Sequence, residues 1–204
     1  MELLAAAALA EGLHVYVGAP GTGKTTAMLQ DVVTLHQRTG KAGLVVYSGE
    51  DPREHPEASV SRLLRVLDER ATLEGALFSA FAARSLVLYR PRTADDVLGV
   101  IRTARSPGRI LLGIDDVGVW THSAKLRQEL GDLAATWRHA RTSVFLTLQH
   151  VGSDLSQRIR SCAPVVRVFR VPASTTLEWA VDAHGLDPER LAALPRGAFE
   201  LCQY

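Results

Sequence analysis

Cysteine is scarce in this 204-residue chain: Cys162 and Cys202 stand far apart and share no CxxC spacing. That excludes a disulfide framework and a thiolate metal site. The seven histidines include no HxxxH or HExxH pair, so the usual helical zinc patterns are missing as well. Charge of one sign is also lacking, because 23 Lys and Arg against 22 Asp and Glu leave a formal net charge of +1. A partner recognised by overall basicity is thereby excluded, and any polyanion has to be held by a local patch. There are no internal repeats, low-complexity tracts or linkers. The opening MELLAAAALAEG is apolar but short, lacks a basic start and runs straight into a glycine motif. It is expected to form a short helix on the core rather than a leader peptide, which implies a cytosolic protein.

What remains is an ordinary globular composition, 47% hydrophobic and 22% charged, which suits one domain over residues 1–204. Apolar runs bounded by turn signals recur at 13–18, 43–49, 85–91, 109–115, 142–149, 165–171 and 199–203. Most are continuous rather than alternating, as strands covered on both faces should be. Between them lie helical patterns. Residues 24–38 stop at Gly40, and residues 94–104 start behind Thr93 with Asp96 three positions on, as in a capping box. Leu126, Leu130, Leu133, Trp137 and Arg141 share one face of a helix over about 122–140. Ser174 or Thr175 is placed to cap a helix holding Trp179, and Asp187 with Pro188 starts another. This alternation predicts an α/β fold with a mainly parallel central sheet flanked by helices.

The segment GAPGTGKT, residues 18–25, fits GxxxxGK[ST] and lies between a predicted strand and a predicted helix. Gly18, Gly21 and Gly23 let the backbone of Gly18, Ala19, Pro20, Gly21, Thr22 and Gly23 curl so that N–H groups point at phosphate oxygens. The helix start at Lys24, Thr25 and Thr26 adds its positive dipole end. In such a loop Lys24 neutralises the β- and γ-phosphates of ATP and the Thr25 hydroxyl ligates Mg²⁺. A second half-site follows in RILLGIDD, residues 109–116, where a buried strand delivers Asp115 and Asp116 to its C-terminal end. Asp115 is then the metal-side acid and Asp116 the group that polarises the attacking water. The plain alternative for Asp116 is a cap on the next turn. A competing water-activating acid is Glu50 in VVYSGEDP, where Glu50, Asp51 and Pro52 also read as a simple turn. RecA-like and KaiC-like ATPases, with RepA-type replicative helicases, resemble this chain in carrying an acid there, and SGEDP is similar to the RepA type.

The stretch WRHARTSVFLTLQH, residues 137–150, ends a buried strand on Gln149 with Arg138 a fixed distance upstream. This spacing resembles the FtsK/HerA superfamily of RecA-like P-loop ATPases, in which an Arg near a helix end precedes a strand closing on a polar sensor. RIRSCAPVVRVFRVPASTTLEWA is similar to their next stretch, and the order of elements is closest to the small genome-packaging ATPases of tailless icosahedral viruses with internal membranes. The resemblance implies a homo-oligomeric ring that hydrolyses ATP with Mg²⁺ to drive double-stranded DNA into a preformed capsid. Capsid or portal vertex proteins are then partners, without stable membrane insertion. The implied location is the cytoplasm of the infected cell, or the virion at its packaging vertex. Gln149 would sense the γ-phosphate, and Arg138 would serve the neighbouring subunit as an arginine finger, with Arg141 the fallback and a solvated helix-end Arg the bland alternative. The other implied function is a RepA- or RecA-like replicative helicase or recombination ATPase, and a third is a nucleotide-gated binding module that barely turns over. Trp137 and Trp179 read as core anchors and His150 as a turn residue. Trp120, His122, Lys125 and Arg127 read as a loop after the acidic strand. With Arg158 and Arg160, the basic ones among them are either solvated or contacts to DNA phosphates.

Overall fold

The computed structural model describes residues 9–48, 63–67, 70–105, 110–151, 159, 162–171 and 175–203. Among the described residues eight strands form one sheet: β1 (Leu13–Val17), β2 (Gly43–Val46), β3 (Leu64–Val66), β4 (Leu86–Tyr89), β5 (Leu111–Ile114), β6 (Ser143–Leu148), β7 (Val165–Phe169) and β8 (Phe199–Gln203). The helices are α1 (Lys24–Thr39), α2 (Leu73–Ala82), α3 (Ala94–Arg105), α4 (Val117–Trp120), α5 (Ala124–Ala140), α6 (Thr175–His184) and α7 (Pro188–Ala193). The strand order is β3-β4-β2-β5-β6-β1-β7-β8, with every pair parallel except β7 and β8. The expected mainly parallel sheet flanked by helices is therefore the fold. From β1 the chain crosses to β2, works back to β6, and then places β7 on the other flank of β1. Ligands of open α/β sheets bind at the strand C-termini beside such a reversal.

Period-2 alternation sorts each strand onto two cores. Leu13, Val15 and Val17 join Val97, Ile101, Leu126, Leu130 and Leu133 on the face covered by α2, α3 and α5. Tyr16, Leu111 and Phe145 turn to the opposite face, where α1 supplies Met28, Leu29, Val32, Val33 and Leu35. The helix ends follow their sequence signals. Thr93 and Asp96 form the reciprocal capping box, with Asp96 N–H donating to the Thr93 hydroxyl at 3.2 Å and Thr93 N–H to the Asp96 carboxylate at 3.0 Å. Asp187 accepts from Glu189 N–H at 2.9 Å ahead of Pro188, and Gly40 closes α1 in the left-handed region.

Two elements carried no sequence signal. β3 has three residues at the sheet edge, too few to show a period. The second, α2, reads LEGALFSAFA, apolar all round, and leaves Phe78 75% exposed. Of the two expectations for Lys125 and Arg127, the helix over about 122–140 is the one observed: both lie on the first turns of α5, which Ser123 caps by accepting from Leu126 N–H, and not in a loop. Residues 1–8, Glu50, Asp51, Pro52, Arg158, Arg160 and Ser174, for which the sequence carries expectations, lie outside the described residues. Trp137 and Trp179 are partly buried against the core, as expected of anchors. Among the described residues no helix is long and apolar enough to cross a membrane.

One buried polar cluster joins α1 to the sheet. Arg167 on β7 is only 4% exposed and ion-pairs with Asp31 of α1 at 2.9 Å, while the Tyr16 hydroxyl donates to the same carboxylate oxygen. The guanidinium also lies over the rings of Tyr16, 5.0 Å to the centroid, and Phe199, 5.5 Å. Burial raises the Asp31 carboxyl above its usual range and Arg167 opposes the shift. Removing either partner would leave the other charge buried and unpaired, a cost of about 3–5 kcal/mol.

His14 on β1 is fully buried, stacked on Phe145 at 4.9 Å, with Nε2 at 2.8 Å from the Ala10 carbonyl. Burial lowers its pKa from 6.5 to about 4, against the hydrogen bond to Ala10. The unfolded chain therefore takes up this proton first as pH falls. Stability from His14 is complete above about pH 6.5 and declines between pH 6.5 and 4, by about 3 kcal/mol in all. Urea midpoints measured from pH 7 to pH 4 should fall less steeply in His14→Leu than in the wild type.

Candidate nucleotide site

The loop between β1 and α1 stands at the C-terminal edge of the sheet, in the reversal between β6 and β7. Both flanks hold it. Gly18 N–H donates to Leu148 O at the end of β6 at 3.2 Å, and Ala19 N–H to Arg170 O beyond β7 at 3.0 Å. Gly18 has to be glycine because a Cβ there would stand 2.7 Å from the Phe169 Cβ. Thr22 is buried and its hydroxyl donates to Ala19 O at 2.8 Å, drawing the loop into a concavity. Gly23, at φ 98°, has no side chain with which to cap α1, so no side chain caps the N–H groups of the first helical turn, the arrangement that lets a helix start take an anion. Lys24 Nζ donates to Ala19 O at 2.8 Å and folds over the same space. Burial lowers the Lys24 pKa, while Asp115 and Asp116 pull it back up.

The acidic half of the site comes from β5 and β6. Asp115 is 6% exposed, and its Oδ1 accepts from two hydroxyls, Thr25 at 2.7 Å and Thr147 at 2.7 Å. Its backbone is fixed by an N–H bond to Val46 O of β2 at 2.9 Å. Burial raises the Asp115 pKa; the bonds from Thr25 and Thr147 oppose this. Thr25 Oγ1 and the Asp115 carboxylate, the donor pair that P-loop chemistry offers to Mg²⁺, are thus side by side. Asp116 follows in the left-handed region at φ 47°, a rare conformation for a residue other than glycine. It precedes α4, but its side chain makes no capping bond. Instead Asp116 N–H donates to the Thr147 hydroxyl at 2.8 Å, and its Oδ2 accepts from Gln149 Nε2 at 2.9 Å. The capping alternative for Asp116 is therefore not what its carboxylate does.

Lys24, Thr25, Asp115, Asp116 and Gln149 come together in one cluster, as their motifs implied. The residue that the sequence reading missed is Thr147, which binds both acids at once. Extending the β5–β6 register past Ile114 and Leu146 sets Thr147 beside Asp115, a placement that the sequence of β6, with polar residues at both Ser143 and Thr147, does not show by itself. Arg138 is not in the cluster. It is exposed near the C-terminus of α5, with its guanidinium over Trp137 at 5.2 Å to the ring centroid. That end of α5 feeds the start of β6, at the sheet edge opposite the phosphate loop. Arg141 ends the helix in the left-handed region at φ 52°.

No protein-family model matches the chain, and no curated protein matches it in sequence. Solved structures do match it. The genome packaging NTPase B204 of Sulfolobus turreted icosahedral virus 2, in complex with ATP-gammaS, aligns with a TM-score of 0.72 at 17% identity, over 94% of this chain and 92% of that one. The chain shares the RecA-like P-loop NTPase fold of that protein. The DNA-packaging ATPase B204 of Sulfolobus turreted icosahedral virus aligns at 0.67 and 15% identity over 94% and 92%. A further match to the fold is EccC of Thermomonospora curvata (ATPases 2 and 3), at 0.58 and 12% over 95% of this chain and 35% of that one. These neighbours agree with the resemblance drawn from Arg138, Gln149 and the order of elements.

Lys24→Ala tests the cradle directly. It removes the principal side-chain cation from a buried anion site, so ATP affinity measured by titration calorimetry should fall by roughly 30-fold or more. The melting profile should remain that of a folded protein.

Proposed function

We propose that this protein is a single-domain ATPase, residues 1–204, that works as a homo-oligomeric ring and drives double-stranded DNA into a preformed viral capsid. The observation that carries the reading is the Thr25–Asp115–Thr147–Asp116–Gln149 network beneath a phosphate loop, in a fold shared over nearly its whole length with B204. The substrate is ATP. Mg²⁺, held by the Thr25 hydroxyl and through water by Asp115, would neutralise charge building on the β- and γ-phosphate oxygens. The chain's own residues do the positioning: Lys24 reaches the β- and γ-phosphates, and Asp116 accepts the proton of the attacking water. Gln149 holds Asp116 by its amide N–H, leaving its carbonyl oxygen for that water, so base and sensor work as one unit. The ring acts in the cytoplasm of the infected cell or at the virion's packaging vertex, against capsid or portal proteins. Lys125 and Arg127, exposed on the first turns of α5, would contact the DNA backbone, and Arg158 and Arg160 are the further candidates from the sequence.

Steady-state ATP hydrolysis without DNA, with duplex and with single strands separates the readings. Stimulation by duplex is expected here, whereas a RepA- or RecA-like helicase responds more to single strands and a nucleotide-gated binding module to neither. Under the same conditions Asp116→Asn should lower kcat by about 100-fold or more, while Glu50→Gln stays mild. The reverse ranking moves the assignment to the RecA or RepA branch.

Arg138 acts in trans. α5 is about 25 Å long and its end feeds the start of β6, at the sheet edge opposite the phosphate loop, which puts this guanidinium away from its own phosphates. In a head-to-tail ring the same edge would abut the next subunit's loop, where an arginine finger contributes about 10³-fold or more. Arg138→Ala should bind ATP normally yet lose turnover when assembled, and mixing it with Lys24→Ala subunits should restore activity. Wild-type turnover by assembled Arg138→Ala would pass the role to Arg141 or abolish it.

A further inference from the structure

The strand order gives the phosphate loop two unlike flanks. On one, β6 and β5 bring Thr147, Gln149, Asp115 and Asp116, and the Thr25 hydroxyl already bonds Asp115, so the metal and γ-phosphate end of a nucleotide lies there. On the other stand β7 and β8. The segment entering β8 lies directly on the loop: Gly197 N–H donates to Thr22 O at 2.9 Å, and a Cβ on Gly23 would stand 3.2 Å from the Gly197 Cα.

This segment is a tight turn, Pro195–Arg196–Gly197–Ala198. Ala198 N–H donates to Pro195 O at 3.1 Å, and Gly197 sits at φ 83°, the value that the third position of a type II turn demands. Such a turn directs the central N–H away from its own ring of atoms, which frees the Gly197 N–H for Thr22. A Cβ on Gly197 would meet no atom within 4 Å. The turn thus borders open space beside the phosphate loop, on the flank away from the acids. Arg196, at the second position, is exposed there.

We propose that the Pro195–Ala198 turn is the wall of the nucleotide site at its nucleoside end, and that Arg196 contacts the ribose or base of the bound nucleoside triphosphate. The inference rests on the ATP reading above. A triphosphate whose γ end is fixed against Thr25 and Asp115 has to leave the loop on the β7–β8 flank, where this turn touches Thr22. A guanidinium suits that position because it is planar, permanently charged and able to stack on a base or donate to ribose oxygens. Gly197 is a positioning residue: it couples the turn, and through it α7 and β8, to the loop that wraps the phosphates.

The test separates nucleoside from phosphate recognition. Binding of ATP and of inorganic tripolyphosphate, each with Mg²⁺, is measured by calorimetry for the wild type, Lys24→Ala and Arg196→Ala. Arg196 is exposed, and a melting curve confirms that its variant folds. Arg196→Ala is expected to weaken ATP roughly three- to thirty-fold while tripolyphosphate binds as to the wild type. Equal losses for both ligands would mean that Arg196 reads phosphate charge, and unchanged affinity for both would mean that it touches neither; each overturns the proposal. Should Lys24→Ala leave both affinities intact, the phosphate-loop reading itself falls, a failure visible apart from that of Arg196.

Discussion

A single carboxylate oxygen organises the site. Asp115 Oδ1 accepts from Thr25 of α1 and Thr147 of β6, while its backbone is bonded to β2. Three parts of the sheet are thereby fixed relative to the helix that carries Lys24. An ionised carboxylate at 6% exposure is costly unless its lone pairs are used, and here hydroxyl donors on both sides use them. The same Thr147 hydroxyl receives the Asp116 N–H, so the geometry that satisfies the first acid also holds the second in its left-handed conformation. Strain at Asp116 is tolerated because Thr147 and Gln149 bond it from a neighbouring strand.

Much of this was legible in the sequence where one local pattern determined one local structure. The continuous apolar runs marked the strands because parallel strands are covered on both faces, and the glycines of 18–23 marked the loop because only they tolerate its φ values and close approaches. Thr93 and Asp96 marked a helix start by their spacing, which the capping box reproduces. Illegible were features that depend on partners distant in sequence. Thr147 becomes a site residue only through the β5–β6 register, and Gly197 only because β8 returns beside β7. Arg167 reads as one of two arginines in VVRVFRV, yet it is the one buried, because its side chain points to the α1 face where Asp31 waits. α2 was lost for the opposite reason, an apolar composition with no polar face to give it a period.

The division between the two faces of the sheet has a consequence for how the protein responds to its ligand. α2, α3 and α5 share the cover of one face, but among the described residues α1 is the helix on the other. The helix that seals that core also carries Lys24 and the N–H groups proposed to bind phosphate. Opening of this core and loss of the site are therefore one event, and a nucleotide that needs the site intact draws its free energy of binding into the stability of the whole face. At a hundred times its dissociation constant such a ligand adds about 2.7 kcal/mol. If the proposed ring forms, subunits that have just released product would be the softest members of the assembly, and each turn of the catalytic cycle would send a wave of stiffening and loosening around it.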